Sequence, residues 1–240
     1  MWSPDGRRLV FIGGANPAGS SDIAGVDYLY LWSAGHSGVR LLTRVRARVV
    51  GAAWSPDGKR IVFARAATKT NLFSLWTVRA DGGGSRRLTV GGIDLEPSWS
   101  PDGRAIAFLR LDPKSYQSGI WLVHPDGGGL HRILAGFKNV TEPVWSPDGA
   151  RMLVEDGRAL YSVRADGGGR RRIAVLSADA TGAVEDPQPA WSPDGRWIVF
   201  CQLRSGVVGR SDLWVVQSDG GGLRRLTRAP ELDRDPTWGP

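Results

Sequence analysis

The chain has 240 residues and a formal charge of +7, with 41% hydrophobic and 23% charged residues, an ordinary soluble composition long enough for a sizeable core. Its one cysteine, Cys201, excludes an internal disulfide and a cysteine-clustered metal site, and the scattered His36, His124 and His131 offer no zinc spacing. Arginine fills outward polar positions throughout, so the basic balance reads as general composition and no nucleic-acid partner is expected.

Met1 runs straight into Trp2-Ser3-Pro4 without a basic-then-apolar leader, so no signal peptide is expected within this chain. No run of about 18 apolar residues occurs, and no membrane insertion is expected. The pentapeptide Trp-Ser-Pro-Asp-Gly begins at Trp2, Trp54, Trp99, Trp145 and Trp191, and a shortened sixth copy, Trp238-Gly239-Pro240, follows. The successive spacings are 52, 45, 46, 46 and 47 residues. A fixed period in that range marks a repeat architecture, in which each copy buries its apolar face on its neighbours.

Each repeat reads as four strands. A short first strand ends at the tryptophan, as in 96–99, and Ser-Pro-Asp-Gly supplies the residues a tight turn favours. Second strands are predicted over 7–12, 60–64, 104–108, 151–154 and 196–200, where small or polar positions alternate with large apolar ones. Third strands follow over 28–32, 75–78, 120–123, 160–163 and 213–216. Asp-Gly-Gly-Gly closes four of them at Asp81, Asp126, Asp166 and Asp219 and leads into short basic fourth strands such as 130–134, suited to an exposed edge. The first repeat has Ala34-Gly35-His36-Ser37-Gly38 in that place. In the fourth repeat Asp156-Gly157 alone joins the second and third strands, a strong hairpin signal that fixes the antiparallel order.

Four-stranded antiparallel units of about 46 residues describe the blades of a β-propeller. The predicted fold is therefore all-β: a single propeller domain over 1–240, with five blades, closed by residues 233–240 as a terminal strand. On that arrangement Trp2 and Trp238 compete for one first-strand position. The eleven tryptophans keep the phase of the repeat: six are its markers, Trp32, Trp76, Trp121 and Trp214 stand in third strands, and Trp197 stands in a second strand. That phase favours packing between blades over a sugar-stacking platform.

The string Pro-x-Trp-Ser-Pro-Asp-Gly-(Lys/Arg)-x-Ile-x-Phe, then Leu-Trp-x-Val, then Asp-Gly-Gly-Gly-x-Arg-Arg-Leu-Thr resembles the WD-like repeat of TolB-type propellers, over essentially the whole chain. The resemblance implies a non-enzymatic scaffold that binds a protein or peptide, in the periplasm or outside the cell. It also implies a second role, as the accessory or lid propeller of a prolyl-oligopeptidase-like hydrolase whose catalytic domain is not in this chain. Two departures stand out. TolB-type propellers typically have six blades and an amino-terminal domain, whereas five sets of second to fourth strands occur here and that domain does not.

The two stereotyped turns of each blade fall at one end, and the variable loops at the other. Those loops are 13–26, 65–71, 110–118 and 202–211 within blades, and 44–50, 90–95, 135–140, 176–186 and 228–233 between them. Variable loops on a rigid scaffold are where binding normally resides. First strands line a propeller's channel and begin at that face. Three residues before the repeat tryptophans stand Gly51, Glu96, Glu142, Gln188 and Asp235, and five before stand Val49, Asp94, Val140, Asp186 and Asp233. Asp94, Glu96, Glu142, Asp186, Gln188, Asp233 and Asp235 are thus the candidate binding residues of a channel mouth. Two readings of these acids stay open. Glu96, Glu142 and Asp235 could hold a hard cation such as calcium, which takes several oxygen ligands; or the acids satisfy strand-start amides and pair with nearby arginines. Otherwise no cofactor is expected, and the chain is expected to be monomeric. No catalytic residue is assigned: Gly35-His36-Ser37-Gly38 has the wrong spacing for a nucleophile elbow, and Asp-Gly-Gly-Gly joins two strands rather than opening a helix.

Overall fold

The computed structural model describes residues 1–14, 27–43, 47–67, 72–137, 140–177, 187–205, 210–228 and 233–238. Packing divides the chain into two compact units, Met1–Ala135 and Gly136–Pro240. Every regular element among the described residues is a strand, and no helix is long and apolar enough to cross a membrane.

In the first unit, the first blade is a three-stranded sheet, β1 (Arg8–Gly13), β2 (Tyr28–Ser33) and β3 (Val39–Leu41), in that order. The second blade orders β4 (Ala47–Trp54), β5 (Arg60–Ala67), β6 (Phe73–Arg79) and β7 (Arg86–Arg87) in sequence. The third does the same with β8 (Ile93–Trp99), β9 (Ile106–Leu111), β10 (Ser118–Val123) and β11 (His131–Phe137), whose end passes into the second unit. The second unit holds the fourth blade, β12 (Val144–Trp145), β13 (Arg151–Glu155), β14 (Ala159–Arg164) and β15 (Arg171–Val175). The fifth is β16 (Ala190–Trp191), β17 (Trp197–Leu203), β18 (Ser211–Gln217) and β19 (Arg224–Arg225). The Asp156-Gly157 hairpin forms as expected, with Glu155 paired to Leu160 and Gly157 at φ 59°.

The first-strand position of the first blade is filled by the chain's own start. Trp2 and Leu9 form an antiparallel bridge, the Ser3 amide donates to the Arg8 carbonyl at 2.7 Å, and the Val10 amide to the Met1 carbonyl at 2.9 Å. Residues 233–238 form no strand, and hydrogen bonds join them to the fifth blade. Ser211 Oγ donates to the Asp233 carbonyl at 2.6 Å, and the Trp238 indole to the Ala190 carbonyl at 3.1 Å. Trp2 thus bonds within its own blade, and Trp238 bonds to the first strand of the fifth.

The second strand of the second blade serves two cores. In β5, Ile61 and Phe63 join Val10, Leu29 and Leu31 of the first blade, whereas Val62 and Ala64 join Ile106, Phe108 and Trp99 of the third. Alternate side chains point to opposite faces, so the middle of this strand, residues 61–64, is buried on both. The small positions that look like an exposed face in the sequence, such as Ala64 and Ala107, are buried too. The fourth and fifth blades share a core of Leu153, Leu160, Ile173, Trp191, Ile198 and Phe200.

The Ser-Pro-Asp-Gly turn repeats its chemistry five times. Each Ser Oγ (Ser3, Ser55, Ser100, Ser146, Ser192) donates to the Asp two residues on at 2.5–2.6 Å and accepts the amide five residues on at 2.9 Å. The glycine takes φ between 65° and 71°, which only glycine adopts at little cost. The serine hydroxyl first, and then the backbone N–H two residues past the acid, hold the carboxyls of Asp5, Asp57, Asp102, Asp148 and Asp194 below the ordinary carboxylate range. A depressed folded-state pKa adds stability above the unfolded value, which is lost as pH falls through the folded one. Wild type should therefore exceed Asp57→Asn in melting temperature at neutral pH, with the gap closing below about pH 4. A gap constant from pH 7 to pH 2 would remove the turn acids from the acid response.

Candidate functional site

Trp54, Trp191 and Trp238 each bond back to the first strand of the repeat before. The Trp54 indole N–H donates to the Met1 carbonyl, Trp191 to Val144 and Trp238 to Ala190, each at 3.1 Å. Each acceptor is the residue just before the preceding repeat tryptophan. Trp99 is equally buried, but its indole N–H has no acceptor. The tryptophans are thus packing residues, and their bonds fix where consecutive first strands lie.

Along those first strands the position three before the tryptophan is distinctive. Gly51, Glu96, Gln188 and Asp235 all have left-handed backbone, with φ of 51°, 48°, 44° and 50°. The pairing of β4 with β5 shifts register between Val50 and Ala52, and that of β8 with β9 between Leu95 and Ser98. A bulge of this kind bends a strand and re-aims the side chain it carries. Glycine accepts this backbone readily, whereas Glu, Gln and Asp hold it at a cost of order 1–3 kcal/mol each. Glu142, the fifth member of the set, is exposed and is not in the left-handed region.

Equivalent positions of successive repeats touch. A Cβ added to Gly51 would lie 3.0 Å from Glu96 Oε2 and 3.2 Å from Pro97 Cδ. The Asp235 amide donates to Gln188 Oε1 at 2.9 Å. The structure thus brings Glu96 beside Gly51 in the first unit and Gln188 beside Asp235 in the second. Gly51→Ala should destabilise by about 1–2 kcal/mol, because the new Cβ meets both strain and a neighbour. Urea denaturation measures it, and an unchanged midpoint would mean that the first strand relaxes freely at this point.

The position five before the tryptophan behaves differently. Asp94 is fully buried and receives Arg110 through Nε at 2.5 Å and Nη2 at 2.8 Å, with a further short bond from Thr89 Oγ1. Asp233 accepts from Thr227 Oγ1. Both threonines also accept a third-strand amide, Leu75 to Thr89 and Leu213 to Thr227, each at 2.9 Å. These two acids thus tie a fourth strand to the segment that follows it. Asp186 lies outside the described residues. Among the described residues no three His, Cys, Asp or Glu side chains gather where they could hold a metal ion.

Of the variable loops, 90–95 and 110–118 are described in full. In the second, Asp112 accepts the amides of Lys114 and Ser115 at 2.9 and 2.7 Å, and the Tyr116 amide donates to the Asp112 carbonyl at 2.9 Å. Tyr116 stands on this compact turn with its side chain exposed and φ 54°. Sequence reasoning singled out the loop but not this residue; an aspartate three residues before a serine, with a tyrosine behind, was the available signal.

No family model matches the chain. The Tol-Pal system protein TolB of Anaeromyxobacter dehalogenans is 36% identical over 100 residues, which make up 40% of this chain and 21% of that protein. An uncharacterized peptidase of Bacillus subtilis, YuxL, is 28% identical over 114 residues, 42% of this chain and 16% of that protein. The chain thus matches about a fifth of the length of these curated relatives. A solved TolB candidate from Agrobacterium tumefaciens aligns with a TM-score of 0.70 at 22% identity, over 93% of this chain and 78% of that one. That likeness gives the chain a TolB-like propeller fold.

Proposed function

We propose that this chain is a non-enzymatic, TolB-like propeller scaffold that binds a protein or peptide through its variable-loop face and channel mouth. The observation that carries the reading is the left-handed backbone at Glu96, Gln188 and Asp235. Strain retained by non-glycine residues at equivalent places points to a functional demand on those side chains. Tyr116 adds an exposed aromatic on a braced loop, a residue type enriched among binding hot spots. The relatives named TolB belong to a Tol-Pal system, and a related periplasmic or extracellular assembly is the setting we propose. The scaffold is a monomeric single domain over 1–240, its ring closed by residues 233–240. Deleting those residues strips the Trp238 bond from the fifth blade, and should lower the melting temperature or promote self-association.

No cofactor enters this reading. Melting in millimolar calcium and in chelator should coincide; a rise with calcium that Glu96→Gln abolishes would instead place a cation at Glu96, Glu142 and Asp235. The direct test is selection of binders from a displayed peptide library. Selected peptides should bind Glu96→Ala and Tyr116→Ala about tenfold more weakly than wild type, a loss of about 1.4 kcal/mol, with melting temperatures preserved. Peptides that bind all three proteins equally, or a library that yields none, would overturn the proposal. The match to the Bacillus subtilis peptidase favours one second reading, an accessory propeller of a hydrolase. Reading the gene on both sides for an α/β-hydrolase segment separates the two.

A further inference from the structure

The second blade carries an arginine equivalent to one in the third blade and another equivalent to one in the fifth, and lacks the acid that each of those meets. In the third blade Arg110 lies 4.8 Å over the ring of Trp121 and is neutralised by Asp94, its cross-strand neighbour. The equivalent arginine of the second blade, Arg65, lies 4.4 Å over Trp76, but the residue across from it is Val49. In the fifth blade Arg225 donates through Nε to the Thr227 carbonyl at 2.7 Å and pairs through Nη2 with Asp212 at 2.7 Å. Its equivalent Arg87 makes the same bond to the Thr89 carbonyl at 2.8 Å, but meets the hydroxyl of Ser74 where Asp212 would stand. Asp212 also takes Arg204 in the fifth blade, at 2.7 and 2.8 Å. Burial would raise its pKa, but the bonds from Arg204 and Arg225 outweigh that and hold it low.

Both acids are therefore replaced in the second blade, by valine and serine, while both arginines remain. Arg65 and Ser74 are cross-strand neighbours, as are Trp76 and Arg87. The two cations thus flank one tryptophan on three adjacent strands. Among the described residues neither arginine forms an ion pair. Arg65 is half-buried, and its pKa is pushed down by that burial and by the charge of Arg87. Arg87 is exposed, so the pair can be reached from solvent. Two neighbouring guanidinium groups with no counter-charge repel each other, and a carboxylate accepting from both would relieve this through charge-assisted hydrogen bonds.

We propose that the variable-loop end of the second blade is a carboxylate-binding site, in which Arg65 and Arg87, beside Trp76 and the Ser74 hydroxyl, hold an acidic group supplied by a ligand. The ligand would take the place that Asp94 and Asp212 fill in the sister blades. The site itself follows from comparing blades; only its use for a protein partner rests on the scaffold reading above.

The probes are a hexaglutamate peptide and free succinate, with affinity measured by calorimetry on the full chain. Arg65→Gln and Arg87→Gln should each weaken binding about tenfold or more, while Arg104→Gln, which removes the same charge from a turn at the other end of a blade, should leave it unchanged. Ser74→Asp restores the acid of the fifth blade; it should abolish binding and raise the melting temperature. Should Ser74→Asp fail to fold, the two arginine variants still decide. Equal affinity in wild type, Arg65→Gln and Arg87→Gln would overturn the site and assign anion binding to the general basic surface. Binding of hexaglutamate alone identifies a peptide ligand, and matching affinity for succinate a small dicarboxylate. Either supports the site. Peptides selected at the channel mouth that still bind Arg65→Gln would show the two sites failing or holding independently.

Discussion

Trp191→Ala should cost about 3–5 kcal/mol, the range for removing a large buried aromatic. Trp191 is 9% exposed, packs against Leu153, Leu160, Ile198 and Phe200, and donates its indole proton to Val144. The substitution leaves a cavity between the fourth and fifth blades and strands a carbonyl. Trp191→Phe keeps most of the apolar volume and loses the donor, so it should cost clearly less. Trp2 opens the same pentapeptide but is 58% exposed, and its ring meets Trp32 edge-on at 6.0 Å. Trp2→Ala should therefore cost about 1 kcal/mol or less. Denaturant midpoints for the three variants measure this ranking. Equal costs for Trp2→Ala and Trp191→Ala would mean that the motif, and not burial, sets the energetics.

Asp94→Val should be as damaging, at about 3–5 kcal/mol. Removing one partner of a buried pair leaves the other charge uncompensated, and Arg110 is only 11% exposed in its side chain. Thr89 loses its acceptor in the same step. The double variant Asp94→Val with Arg110→Leu should recover much of the loss, since a well-packed apolar pair often replaces a buried ion pair at little cost. A double variant less stable than Asp94→Val alone would show that Arg110 contributes chiefly through its contact with Trp121. The second blade already carries valine opposite its arginine, yet there Arg65 stays half-exposed and can keep water.

The fold was legible because its signals are local and repeated. Ser-Pro-Asp-Gly and Asp-Gly-Gly-Gly fix two turns through bonds that span five residues or fewer, so five copies of the first string and four of the second give as many copies of each geometry. The candidate site was legible only in part. Spacing alone aligned Gly51, Glu96, Gln188 and Asp235, and these share one backbone conformation. That the conformation is left-handed was signalled by a single glycine in the set, which the three long side chains obscured. Pairing with an arginine was one of the two readings the sequence left open for Asp94, but which arginine was not legible. Its partner Arg110 lies sixteen residues on, and only the register of β8 on β9 sets them opposite each other. Ion pairing across strands depends on a bulge count that composition does not reveal.

The indole bonds have a direction. Trp54, Trp191 and Trp238 each reach back to a carbonyl about one repeat earlier in the chain, and none of the three waits for an acceptor later in the sequence. On a ribosome adding about 5–20 residues per second, a repeat of about 46 residues takes roughly 2–9 s to emerge, whereas a hairpin closes in about 1–10 μs. Each new tryptophan therefore leaves the exit tunnel to find its docking carbonyl already in place, and the repeats can lock one after another during synthesis, in the order in which they are made.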